Sequence, residues 1–262
     1  MCEEVTKGTD IAKHVAAGEY GKESALGYRN AKKVAFRDRV EMFTTLQLVG
    51  DLTGKRAVDV ACGTGWLTKA LKRKANASYV MGTDLSGEMI ALAKTDDPTI
   101  DYIIEDSRSA SPGDFDLVVS NWLLVNARNR AELQSMCKGL AVKAKSGGKL
   151  VTLVTNPDIY GYRGDPHFMK KYGFEFVFPE SVAEGNSILI RAFTPEGKFA
   201  LEVENYYFSK ETYVKELEAA GFYDVTLHNA QLSPLPSGED DSEFWNDLFS
   251  CPAFIIFTAT KE

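Results

Sequence analysis

"VDVACGTGWLTKAL", Val58 to Leu71, carries small and branched apolar residues into a turn with two glycines, Gly63 and Gly65, and then continues at helical spacing. A residue without a Cβ takes positive φ freely and lets a ligand come close to the backbone. Glycines at the point where a strand hands over to a helix therefore mark a contact surface for something flat or extended. Around this stretch, over residues 54–154, "RAVDVA", "YVMGTD", "DYIIED", "FDLVVSN" and "KLVTLV" read as short strands, separated by helical or turn segments such as "SGGK" at Ser146 to Lys149. That alternation predicts a doubly wound, mostly parallel sheet with crossover helices. Ligands of such sheets sit outside the carboxyl ends of the strands, at the switch point beside the first strand, where Gly63 and Gly65 fall.

Asp84 ends the second predicted strand and can accept hydrogen bonds from both hydroxyls of a ribose, so the spacing fits a nucleoside. A dinucleotide site would show G-x-G-x-x-G, with the third glycine packing helix on strand. Thr68 stands at that third position. Asp59, within "VDVACGTG", is poorly placed beside a pyrophosphate but suits a ligand with an ammonium group. A positively charged nucleoside without phosphate fits these residues better than a nicotinamide dinucleotide.

The 262 residues, 44% hydrophobic and 26% charged, have the balance of a globular protein with a sizeable core. A net charge of -7 argues against nucleic acid as a partner, and "KALKRK", Lys69 to Lys74, reads as the solvated end of a helix. Cys2, Cys62, Cys137 and Cys251 lie too far apart for a zinc site or redox dithiol, so no metal is expected. They read as reduced thiols, and with no signal peptide or membrane-length apolar run the expectation is a cytoplasmic protein. Cys62 reads as a small residue in a tight turn.

Outside the central region, residues 31–48 read as an amphipathic helix. "GEYGKESALGYRN" ahead of it, with Tyr20 and Tyr28, reads as a mobile cap over a ligand or a frayed terminus tied down by aromatic contacts. After "KLVTLV" comes an aromatic stretch with Pro157, Pro166, Pro179 and Pro195 and three β-like runs, which predicts an inserted antiparallel layer. "SKETYVKELEAAGF" resumes a helix, with Ser209 as N-cap and Gly221 as its end. "YDVTLHNA" and "AFIIFTATK" supply two last strands around an acidic loop that contains "SGEDDSEFWNDLF".

"VDVACGTG", "MGTDLSGEMI", "EDSRS" and "DFDLVVSNWLLVNA" together, in order and at the right spacing, resemble the class I S-adenosylmethionine-dependent methyltransferases. "YGFEF", "ENYYFSKETYVKELEAAGFYDVTLH", "LSP" and "EFWNDLFSCPAFIIFTATK" extend the resemblance to the small-molecule subgroup that includes toxoflavin synthase. The resemblance implies a seven-stranded Rossmann-like sheet. Its parts would be an N-terminal cap and helix (1–50), a cofactor-binding core (51–155), an inserted substrate-covering β layer (156–208), and the last helix with strands six and seven (209–262). It further implies that Asp59, Ala61, Gly63 and Gly65 surround the methionine half of S-adenosylmethionine and that Asp84 holds the ribose. Leu85 and Met89 would pack on the adenine faces, and Asp106 and Ser107 would meet its edge. Asn121 and Trp122 would line the sulfonium and the substrate entrance.

Methyl transfer from a sulfonium is an in-line displacement in which the cofactor supplies the reactive carbon, so alignment is the protein's main task and no obligatory nucleophilic residue is expected. Should a base be used, His167 in "YGYRGDPHF" is the histidine best placed to reach a substrate, with His14 near the terminus and His228 in a strand. Substrate identity should be written in the aromatic insertion. Tyr28, Trp122, Tyr160, Tyr172, Tyr206 and Trp245 are the candidate contacts, with Tyr162, Phe174 and Tyr207 beside them, for a planar heterocycle or an alkylammonium. The expected activity is methylation of a small molecule, at nitrogen of a heterocycle or amine, by a monomer or homodimer that leaves S-adenosylhomocysteine. Oxygen, sulfur or carbon acceptors, a nicotinamide-dependent oxidoreductase and a catalytically silent cofactor-binding module are the alternatives. "SNWL" stands where adenine or glutamine-amide methylation would require an "NPPY"-like tetrad, which again favours a free small molecule.

Overall fold

The computed structural model describes residues 14–16 and 19–262. Cys2 and most of the acidic N-terminal segment lie outside the described residues. Strands β2 (Arg56–Val60), β3 (Tyr79–Asp84), β4 (Asp101–Ile104), β5 (Phe115–Asn121) and β6 (Ala144–Thr155) are the five predicted ones. Val58, Val118, Val119, Leu150 and Val151 are all buried, as expected of strands covered on both faces. With β10 (Phe222–Asn229) and β11 (Phe254–Lys261) they form a seven-stranded sheet in the order β10-β11-β6-β5-β2-β3-β4. Neighbours from β6 to β4 run parallel, while β11 is antiparallel to both β6 and β10. The strand order reverses between β2 and β5, so their carboxyl ends flank the crevice. The expected "SGGK" turn lies inside β6 as a bulge: Ala144 pairs with Phe115 and Lys149 with Leu117, so the residues between loop out, with Gly147 at φ 73°.

The insertion forms a second sheet. Strands β7 (Phe174–Val177), β8 (Ser187–Phe193) and β9 (Phe199–Tyr206) are antiparallel neighbours, and β1 (His14–Val15) adds in parallel to the free edge of β9. Helix α1 (Lys22–Ala31) packs on β8 and β9. Gly27 permits this approach, since a Cβ there would stand 2.7 Å from the Ala200 carbonyl oxygen. Within the segment read as a mobile cap or as a terminus tied down by aromatic contacts, residues 22–31 form this helix, and its Tyr28 meets Tyr20 edge to face, ring centres 5.4 Å apart.

Two sequence expectations change. Residues 31–48 do not form one α-helix: α1 ends at Ala31, and the chain then enters a π-helical turn, Arg37–Met42, before α2 (Phe43–Val49). The acidic loop before the last strand holds helix α7 (Ser242–Ser250), because Trp245 and Leu248, three residues apart, bury on one face. Helix α6 (Lys210–Ala219) is capped as predicted, the Ser209 hydroxyl accepting from the Thr212 amide and Gly221 standing at φ 89°.

Candidate active site

The chain leaves β2 through residues that strain the backbone. Ala61 has φ 61°, followed by Gly63 at 55° and Gly65 at 73°, the last standing before helix α3 (Trp66–Arg73). The two glycines do different work. Gly63 edges a cavity, where a Cβ would lie 3.3 Å from the Tyr28 ring. Gly65 turns away from it: a Cβ there would meet the Tyr102 hydroxyl at 2.3 Å. Gly65 does not line this cavity, and its bareness seats Tyr102 of β4. Thr68, where a dinucleotide site needs glycine, is buried and donates its hydroxyl to Asp59 Oδ2 at 2.6 Å.

Asp84 faces the same cavity. Its Oδ2 accepts from the Gly63 amide at 2.8 Å and its Oδ1 from the Ser86 amide at 2.9 Å, which fixes the carboxylate across the ends of β2 and β3. Burial pushes its carboxyl up, and those two N–H donors oppose the shift. Ser86, not Asp84, caps helix α4 (Gly87–Asp96) by accepting from the Met89 amide. Leu85 and Met89 line the cavity on this side. Asp106 and Ser107 line it from the loop after β4, together with Glu105, Arg108 and Asn121. The Arg108 guanidinium forks onto Asp106. Helix α5 (Arg130–Lys143) presses on this loop at Gly139, where a Cβ would stand 1.7 Å from the Ser107 carbonyl oxygen. Neither Arg108 nor Gly139 was picked out from sequence.

Asp59 lies behind the turn. It lines a smaller space with Lys32, Glu41, Trp66 and Asn121, and burial raises its carboxyl to about 7 against the Thr68 hydrogen bond. After β5 the chain turns again at Trp122, φ 67°, a conformation rarely held by a large side chain. The Trp122 Nε1 donates to Glu41 Oε1 at 2.9 Å. Glu41 is completely buried on the π-helical turn and also accepts from Lys32 Nζ at 2.9 Å and from Arg37. Burial pushes its carboxyl up, but the charges and hydrogen bonds of Lys32 and Arg37 outweigh that and hold it down to about 2. Burial likewise lowers the Lys32 ammonium to about 8.

A second cavity adjoins the first and shares Tyr20, Tyr28, Trp122 and Asn126 with it. Its far wall is apolar: Phe36, Phe174, Phe176, Ile190, Leu201 and Val203, most of them from the inserted sheet. Of the six aromatic candidates, Tyr28 and Trp122 line it. The other four belong elsewhere. Tyr172 stacks on Trp245 with ring centres 5.2 Å apart, Tyr160 packs edge-on to Phe176 and Tyr207, and Tyr206 packs against the core on the opposite side of the sheet. His167 lines neither cavity: its side chain is 66% exposed and bound to Glu175. The sequence reading missed Lys32, Arg37 and Glu41, whose only local signal is an acid set among apolar positions in "VEMF".

The lining suits a sulfonium nucleoside and not a pyrophosphate. Asp84, Glu105 and Asp106 face the first cavity against Arg108, and the buried Asn121 Oδ1 has no hydrogen-bond partner among the described residues. Residues 57–148 match the model of a methyltransferase domain. The chain carries an S-adenosylmethionine-dependent methyltransferase domain. The methyltransferase is 27% identical to N-demethylindolmycin N-methyltransferase of Streptomyces griseus over 69% of this chain and 73% of that protein. It is 29% identical to demethylmenaquinone methyltransferase of Bacillus licheniformis over 82% of this chain and 85% of the relative. Its fold matches that of an S-adenosylmethionine-dependent methyltransferase from Clostridium acetobutylicum with a TM-score of 0.61 at 16% identity, covering 91% of this chain and 98% of the other. No helix among the described residues of the methyltransferase is long and apolar enough to cross a membrane.

Proposed function

We propose that the methyltransferase moves a methyl group from S-adenosylmethionine to a small molecule, at a nitrogen of a heterocycle or amine. The observation that carries this reading is the meeting of two cavities, one acidic and one mostly apolar, at Tyr28, Trp122 and Asn126. Asp84 would hold the ribose hydroxyls, Leu85 and Met89 the adenine faces, and Asp106 and Ser107 the adenine edge. Ala61, Gly63 and Asn121, with Asp59 behind them, would surround the methionine half. Gly65 would act through Tyr102. The bound cofactor supplies the methyl carbon and the sulfur leaving group. This chain's residues align the partners and exclude water, and near-attack alignment alone can be worth about 7–11 kcal/mol.

The name of the indolmycin relative supports nitrogen. A ring oxygen or carbon is the second reading, favoured by the likeness to a relative named for demethylmenaquinone. The sequence resemblance to the small-molecule subgroup that includes toxoflavin synthase points the same way on size. A cytosolic place fits the free thiols of Cys62, Cys137 and Cys251. The test is a metabolite extract incubated with isotopically labelled cofactor, read by mass spectrometry for the compound that gains the label. Asp84→Ala serves as control: its affinity for S-adenosylhomocysteine should fall about 100-fold, since hydrogen bonds to a charged group are lost, with circular dichroism unchanged. Wild-type affinity in the variant overturns the role of Asp84, and label found only on protein or nucleic acid overturns the small-molecule reading.

A further inference from the structure

We propose that the acceptor is a flat anion, already deprotonated when it binds, and that Arg37 is the residue that selects its charge. The inference rests on the small-molecule reading above and narrows it. The two cavities carry opposite charge. No carboxylate and no histidine line the acceptor cavity among the described residues, whereas Lys32 and Arg37 both do. Both cations are fixed in place. Lys32 Nζ lies 4.6 Å from the Trp66 ring centre and 5.3 Å from that of Tyr28, and the Arg37 guanidinium lies 5.3 Å from Phe36 and 5.5 Å from Trp122. Tyr28, Phe36 and Trp122, three of the rings that line the cavity, thus already meet the protein's own cations, and a cationic acceptor meets repulsion from Lys32 and Arg37.

Arg37 has capacity to spare. One terminal nitrogen is bound to Glu41, but the buried Nε has no partner among the described residues, and an unpaired buried donor is costly. An oxygen or ring nitrogen bearing negative charge would satisfy it. The flat body would then lie among Phe36, Phe174, Phe176 and Ile190.

The missing base leads to the same answer. A neutral O–H or azole N–H acceptor must lose a proton to become nucleophilic, and the cavity offers no free carboxylate or histidine to take it: Glu41 is held as a weak base by its two cations, Lys32 is still mostly protonated near neutral pH, and His167 is outside. An acceptor that arrives as an anion needs no base. The bond from its nitrogen or oxygen to the methyl carbon forms as the carbon–sulfur bond breaks, with the electron pair going to sulfur. The positive charge of the donor and the negative charge of the acceptor cancel, and no proton moves.

The test uses three probes of one shape, 2-naphthoate, 2-naphthamide and 2-naphthylmethylammonium, titrated calorimetrically into the full chain saturated with S-adenosylhomocysteine. The carboxylate should bind at least about tenfold tighter than the amide, and the ammonium should not bind. Arg37→Gln should abolish the ranking while S-adenosylhomocysteine affinity is kept, and Arg37→Lys should restore part of it. Should R37Q fail to fold, the wild-type ranking and R37K decide. An ammonium that binds as well as the carboxylate, a trio without a charge ranking, or a ranking unchanged in R37Q overturns the proposal. Failure of wild type to bind S-adenosylhomocysteine would instead count against the cofactor reading, which separates the two.

Discussion

Asp59 shows how a single buried carboxyl ties acidity to folding. Between pH about 4 and about 7 the folded chain keeps a proton on Asp59 that the unfolded chain has released, so this group's contribution is full below that window and is lost as pH rises through it. Asp59→Asn can still accept from the Thr68 hydroxyl. The variant should therefore gain stability relative to wild type, on the order of a few kcal/mol, as pH is raised from 4 to 8 in urea titrations of the ligand-free chain. Parallel curves for the two proteins would show that Asp59 is ionised throughout. Gly63 and Asp84 were legible in sequence because a strand end and the turn beside it are local features. The Gly65 contact was not, since its partner, Tyr102, lies on another strand. Glu41 was hidden for a stronger reason: its partners Lys32, Arg37 and Trp122 converge only because the helix widens into a π-turn.

At the scale of elements, the strands were readable because burial on both faces leaves continuous branched apolar runs, and helix α6 because Ser209 and Gly221 mark its ends. The helix after Ala31 was misread because hydrophobic spacing near 3.6 does not distinguish an α-turn from a π-turn followed by an α-helix. Residue type alone did not separate the aromatics that line the cavity from those in the core. Tyr172 sits in a turn just before β7 and points into the core, while Phe174 and Phe176, alternate residues of the strand, share the face toward the cavity. Helix α1 gives a prediction at this scale. Gly27→Val would force α1 away from Ala200 of β9 and should cost about 1–3 kcal/mol, as overpacking does. Thermal melting should show the loss, and naphthoate binding should weaken more than S-adenosylhomocysteine binding because α1 walls the acceptor cavity. Equal weakening of both would place the effect in global stability alone.

Across the whole molecule, the aromatic excess that suggested a large substrate box is divided between box and core. Trp245, stacked on Tyr172 and donating its Nε1 to Asp241 at 3.0 Å, fastens α7 to the turn before the inserted sheet. Trp245→Ala should lower unfolding free energy by about 3–5 kcal/mol in denaturant, with S-adenosylhomocysteine affinity per folded molecule unchanged. A selective loss of acceptor binding in a variant of normal stability would return Trp245 to the substrate site. Among the described residues the two hydrogen-bonded sheets are also separate: the seven-stranded sheet that holds the crevice shares no ladder with the four-stranded one, whose β7, β8 and β9 wall the second cavity. Changes of side chain or hairpin length in the smaller sheet can therefore remodel the chemical taste of the enzyme without shifting the register that grips the nucleoside.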